Sequence, residues 1–433
     1  MKQRNIFLLG GLVVFLMIAL LPDVSQGVPS FARQIQKPCT ACHTIWPNLN
    51  QYGRQFKVKA YTDISPEWKL EKKDGLNLPY ILPLSVRITS FLYTREDNDS
   101  ADVHKDSTRI PTQLDIFLAS RIYDYAGVFA FAAYDPDSGW ALPQVKIAAQ
   151  YPLGEGNTIG LVAFKGPSTS ADPFNSFGGR DRPLIYGDES TPQVLTKGWT
   201  LSPSDEGNMG VVAHGYFLGN RLYAAAGGMR GGRSEDVSGG TLFNAPPGAN
   251  IAESNPIGGY ARLAWDQKLP NGAVTIGGAY YTGKQRIISS TASLGVPFEA
   301  DVQRIFADAS LEQNLWEDFL FEVHGTYGLG TEKNVFGGSQ ERRFEGFHLE
   351  GSLYYERKYG IVGAYSHYYT KGVSGSDITG DADVVDAWVA SATYLPWANT
   401  KVALQYAQIL TSFAGGQPYQ NDNLFRVVLD LLF

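Results

Sequence analysis

Leu424-Phe425-Arg426-Val427-Val428-Leu429-Asp430-Leu431-Leu432-Phe433, the last ten residues of the chain, carry the pattern that decides the fold. On a strand, successive side chains point to opposite faces. Phe425, Val427, Leu429, Leu431 and Phe433 then share one face, and Arg426 and Asp430 lie on the other. A wholly apolar face backed by a charged one suits a strand held between lipid and a watery lumen. A soluble β-sandwich or propeller would alternate as regularly. The terminal Phe433 resembles the signal read by the outer-membrane insertion machinery.

Working back from that strand, the chain from Leu82 onward breaks into short alternating segments separated by turn residues. Sixteen are expected, at 82–94, 109–122, 126–134, 142–151, 158–165, 208–218, 221–230, 257–267, 273–282, 301–312, 318–329, 345–357, 360–370, 384–395, 400–411 and 424–433. Connection lengths give an independent check. Tight turns such as Gly219-Asn220, Leu269-Pro270-Asn271-Gly272 and Lys358-Tyr359 alternate with long stretches at 95–108, 166–207, 231–256, 283–300, 330–344, 371–383 and 412–423. Outer-membrane barrels show this asymmetry, with short periplasmic turns and longer external loops. The connection at 135–140 is short for an external loop. An even strand count places both chain ends on the periplasmic side.

The start of the chain points to the same compartment. Lys2 and Arg4 precede an apolar run from Ile6 to Leu21, and Ser25, Gln26 and Gly27 offer a cleavage point. This reads as a signal peptide over residues 1–27, cleaved near Gly27. The run falls short of the roughly 20 residues a spanning helix requires. No later stretch is apolar enough to span as a helix, so any further membrane crossing is by strands. Aromatic residues make up 13% and charged residues only 18%, in keeping with interfacial girdles and a lipid-facing wall. Without Lys2, Arg4 and Asp23 the net charge moves from −7 to −8, which argues against a nucleic-acid partner.

The chain's two cysteines fall together in Cys39-Thr40-Ala41-Cys42-His43. Two thiols spaced in this way add to the two vinyl groups of one haem c, and the following imidazole ligates the iron. A thioredoxin-like pair would want a βαβ surrounding, and zinc would want a second ligand pair. Neither is present, while a structural disulfide stays open as a third alternative. The haem-bearing segment, residues 28–77, is too small to bury a macrocycle by itself. A barrel of roughly 16 strands encloses an aqueous lumen that such a segment can plug. The barrel then occupies residues 78–433.

No Met and no second His lies between Val28 and Leu76, so the sixth iron ligand comes from elsewhere or the site is open. Candidates are Lys57, the mature α-amine, His104, His214, His324, His348, His367, Met209 and Met229. Alternation turns His324 and His348 inward, which makes them the distal candidates. Arg33, Arg54 and Lys57 are candidates for pairing with haem propionates, or else for contacts to lumen carboxylates.

Taken together, Val28-Pro29-Ser30-Phe31-Ala32-Arg33-Gln34, the Cys39–His43 motif, Pro47-x-Leu49 and Gly53-Arg54-Gln55-Phe56-Lys57 resemble the fused monohaem cytochrome-porins of iron-oxidising bacteria. Ile35 stands where that family is expected to carry Thr. The resemblance implies an all-β fold, a 16-stranded antiparallel transmembrane barrel preceded by a small α-helical cytochrome c segment. It also implies an iron(II):cytochrome oxidoreductase that takes electrons from extracellular Fe(II) and passes them to a periplasmic cytochrome or other carrier. Other readings are metal reduction by the same conduit, a haem-plugged diffusion porin, and a haem peroxidase with open iron.

Overall fold

Period-two segments bounded by turns have one way to satisfy their backbone in hydrocarbon, which is to pair on both sides and close. The computed structural model describes residues 29–44, 48–65, 70–73, 76–79, 82–98, 103–136, 139–166, 173–174, 209–230, 250–251, 256–288, 298–335, 340–371, 382–397, 399–413 and 420–433. The expected signal peptide lies outside them.

Sixteen strands make the wall. They are β1 Leu84–Asn98, β2 Val103–Tyr123, β3 Ala126–Asp135, β4 Gly139–Gly154, β5 Asn157–Lys165, β6 Met209–Phe217, β7 Leu222–Arg230 and β8 Ile257–Leu269. The ring continues through β9 Gly272–Ile288, β10 Phe298–Asn314, β11 Phe319–Val335, β12 Gln340–Tyr355, β13 Tyr359–Lys371, β14 Ala382–Trp397, β15 Thr400–Phe413 and β16 Gln420–Leu432. Each pairs antiparallel with the next, and β16 returns to β1 with Leu429 opposite Ser90, so no edge is left open. All sixteen expected segments are strands. The barrel proper begins at Leu84, after a small hairpin pairing Leu70–Lys73 with Leu76–Pro79 across the expected boundary at 77–78.

Several expected external loops are shorter than the sequence suggested. β1 and β2 extend to Asn98 and from Val103, inside the expected loop 95–108. β11 and β12 likewise run to Val335 and from Gln340. In the first of these extensions Arg95 and His104 both pair with Asp97, and the Tyr93 hydroxyl donates to Asp106. Polar side chains on both faces erase the hydrophobic alternation while the backbone ladder continues. At the short connection 135–140 the ladder continues to its end, with Tyr134 opposite Trp140 and Asp135 opposite Gly139.

The faces divide as expected. Ile257, Leu263, Ile276, Leu349 and Ile361 point out. Arg262, Asp266, Arg304, Asp308, Glu322 and Glu350 are buried on the inner side. On β16 the inner residues are Leu424, Arg426, Val428, Asp430 and Leu432. Rings gather at the turn end, with Tyr359 stacked on Tyr394 and Phe319 between Trp316 and Tyr355. Such belts sit at the membrane interface. No described helix is long and apolar enough to cross a membrane.

Candidate haem-attachment site at the turn end of the lumen

Two short helices, α1 (Pro29–Ile35) and α2 (Gln51–Val58), flank a 3-10 turn at Cys39–Ala41. Asn50 starts α2 as its N-cap, accepting from the Gly53 amide at 2.9 Å. Its side-chain amide also donates to the carbonyls of Thr40 (3.3 Å) and Ala41 (3.0 Å), and its backbone N–H donates to the carbonyl of Cys42 (2.9 Å). One residue therefore holds three successive carbonyls of the cysteine turn. Gly53 permits this approach, since a Cβ there would lie 2.2 Å from the Cys42 oxygen.

No disulfide joins Cys39 and Cys42 in the structure. Cys39 is buried, and Cys42 packs against a cluster of Ile35, Phe56 and Tyr61 that Phe31, Tyr52 and Phe129 of the wall complete. Phe31 stacks on Tyr61 at 4.7 Å and meets Phe56 edge-on at 5.1 Å. Burial pushes the Cys42 thiol up to about 12, against the pull of nearby Lys37. Among the described residues, no three His, Cys, Asp or Glu side chains are grouped as a bare metal site. Two cysteines on one held turn, set in aromatic surroundings and followed by a half-buried His43, fit a covalently attached macrocycle.

The segment lies against the inner wall, and its contacts run around the ring. Ser30 N–H donates to Ser85 of β1 at 2.8 Å, and the Gln34 amide donates to the Ala119 carbonyl of β2 at 2.7 Å. The Asn48 amide donates to Glu322 of β11 at 2.9 Å, and Arg357 in the β12–β13 turn donates to the Thr44 carbonyl at 3.1 Å. His214 of β6 lies 3.1 Å from the Val58 carbonyl. β3 and β11 are eight strands apart in a ring of sixteen, so the segment spans the lumen. All of these wall residues lie near the tight turns.

Arg54 is the most deeply held of the expected site residues. Its guanidinium bonds Asp266 of β8 at 2.9 Å and also Glu312 of β10. Burial lowers its pKa, but Glu312 and Asp266 outweigh that and hold it above the ordinary arginine range. Of the two roles expected for Arg54, the structure shows the contact to lumen carboxylates. Arg33 donates to the Leu84 carbonyl at 2.6 Å, and Lys57 lies half-buried on α2.

The structure also sorts the distal candidates. His104 is exposed beside Asp97 on the far extension, Met209 faces outward, and His367 bonds Asp386 on the outer face near Tyr365. His324 and His348 do turn inward. His324 lies opposite Glu350 in the ladder, and His348 lies two pairs further from the turns, its Nδ1 2.6 Å from the Ser366 hydroxyl.

No family model and no curated relative matches the chain. Among solved structures, the outer membrane channel DcaP of Acinetobacter baumannii is similar, with a TM-score of 0.53 at 10% identity over 84% of this chain and 99% of that one. The anion-selective porin from Comamonas acidovorans aligns with a TM-score of 0.48 at 12% identity, over 81% and 98%. The outer-membrane-expressed OmpT of Vibrio cholerae aligns with a TM-score of 0.47 at 12% identity, over 84% and 100%. The chain is a closed sixteen-stranded β-barrel of porin-like fold.

Asp266, Glu312, Tyr216, Asn48 and Asn50 escaped the sequence reading. Inward polar positions near tight turns were visible, but nothing in the pattern said which of them meets the N-terminal segment.

Proposed function

We propose that this chain is a porin-like outer-membrane barrel whose turn end is plugged by a segment carrying one covalent haem c. Cys39 and Cys42 would form the thioethers and His43 would ligate the iron. The observation that carries the reading is the held Cys39–His43 turn, with both cysteines on it, inside a segment docked across the lumen. When bound, haem c supplies a one-electron iron couple whose potential depends on burial and hydrogen bonding around it.

The chain's own residues position that turn. Asn50 and Gly53 fix its backbone, Arg54 and Asn48 tie it to opposite parts of the wall, and the aromatic cluster keeps water from Cys42. Short turns of such barrels face the periplasm, which puts the turn within reach of a periplasmic carrier.

The likeness to known barrels supports the porin-like part of this reading ahead of iron chemistry. The iron reading rests on the resemblance of residues 28–57 to the cytochrome-porins. On it, extracellular Fe(II) is the donor substrate, a periplasmic cytochrome or other carrier is the acceptor, and the lumen gives Fe(II) access from outside. The chain would then be an iron(II):cytochrome oxidoreductase.

Anaerobic stopped-flow spectroscopy of the detergent-solubilised protein tests both levels. A reduced c-type α band that grows on mixing with Fe(II) is the expected result. A band that dithionite produces and Fe(II) does not would leave a haem-plugged porin and remove the iron reading. No c-type band under either reductant would remove the haem.

A further inference from the structure

Three acidic groups of the inner wall cluster near the turns of β8 and β10, and the wall itself supplies one arginine among them. Arg262 pairs with Asp308 at 2.8 and 3.0 Å. Asp266 accepts from the Tyr216 hydroxyl at 3.0 Å and from Thr275 at 3.2 Å. Among the described residues, the cation paired with Asp266 is Arg54. Arg54 arrives from the N-terminal segment and meets both Asp266 and Glu312, with the three side chains almost wholly buried. Gln51, one turn earlier on α2, donates to the Asp266 carbonyl at 3.2 Å. On the other side of Arg54, the Phe174 ring lies 6.0 Å from its guanidinium and 5.0 Å from that of Arg262.

Other contacts between segment and wall are scattered: neutral groups join Ser30 to Ser85 and Gln34 to Ala119, Asn48 donates to the Glu322 carboxylate, and Arg33 and Arg357 each donate to one backbone carbonyl. Neutral hydrogen bonds at a wettable interface exchange readily with water and contribute little each. A buried ion pair behaves differently, because removing one partner strands the other charge in a low-dielectric site.

We infer that Arg54 is the latch of an autoinhibited pore: it holds the N-terminal segment in the lumen, and its loss frees a channel through the barrel. The segment remains tethered at Leu84, so release is a displacement within one chain. This inference rests on the docked segment and the barrel, and it holds with or without attached haem.

The test is single-channel recording of the full chain in planar lipid bilayers, with heat-modifiable migration on gels confirming a folded barrel. The native protein is expected to stay closed. R54Q is expected to raise the open-to-closed ratio by about a hundredfold or more, from the cost of stranding a buried charge. The wall double variant D266N/E312Q, which leaves segment residues untouched, is expected to open the pore as well. The triple neutral variant R54M/D266N/E312Q, with no charge left to strand, is expected to close again. Folded R54Q and D266N/E312Q barrels as closed as the native one would overturn the inference. So would a native protein that conducts continuously. Haem content is measured on the same samples, and its absence bears on the haem reading alone.

Discussion

Replacing Asn50 by alanine removes an N-cap and two side-chain donors from the cysteine turn without touching the barrel wall. Loss of the cap costs about 1 kcal/mol. The bond to the Ala41 carbonyl at 3.0 Å contributes about 1 kcal/mol, and the longer one to Thr40 contributes less. Together the turn loses about 2–3 kcal/mol of local stability. At 1.36 kcal/mol per factor of ten, its open population rises about 30- to 160-fold. The assay uses haem-free protein, made without cytochrome maturation and refolded in detergent. Cys39 is buried, so a maleimide reaches it through local opening. The labelling rate of Cys39 in N50A relative to the native chain, under conditions where reclosing outpaces labelling, reads the opening equilibrium directly. Barrel migration on gels is expected to stay unchanged. A rate change below about threefold would show that the turn is held by something other than Asn50, and the account of the site would fail with it.

Gly53→Ala places a Cβ 2.2 Å from the Cys42 oxygen and 2.9 Å from Leu49, so the turn or α2 must move. Less haem per folded barrel is expected, read by in-gel haem staining against total protein. Cys42 supplies a pH signature in the haem-free protein. Its thiol is raised from 9.0 to about 12, so the fold favours the protonated form. That contribution is full below pH 9 and is lost as pH climbs toward about 12. Alkylation of Cys42 should therefore keep accelerating above pH 9, whereas the unfolded chain levels off there; a plateau in the folded protein near pH 9 would contradict it. Of the two inward histidines, His324 is two residues along β11 from Glu322, which Asn48 contacts. That is a step of about 7 Å. H324A is expected to shift the haem spectrum toward high spin and H348A to leave it unchanged; the reverse pattern would exchange their ranks.

The barrel was legible because its signal is repeated sixteen times and each repeat is local. Val427, Leu429 and Leu431 against Arg426 and Asp430 need nothing beyond the two-residue period of a strand to declare their faces. The cysteine motif was legible for the same reason, since its chemistry is contained in five consecutive residues. Where local signal failed, it failed at the strand extensions away from the tight turns. Arg95, Asp97 and His104 read as loop residues yet belong to a continued ladder, because backbone pairing outlasts the membrane that imposes the hydrophobic pattern.

What the sequence determined by itself was the sixteen-strand wall and its inner and outer faces. What the tertiary structure alone decided was how the N-terminal segment is held. Arg54 meets Asp266 and Glu312 across 212 and 258 positions of chain, and Asn48 meets Glu322 across 274. Such contacts leave no periodicity behind, for they depend on closure of the ring bringing β8, β10 and β11 around one lumen. A guanidinium on a short helix looks alike in sequence whether it faces water, a propionate or a buried carboxylate; its role here was set by the two charges that the closed wall places beside it.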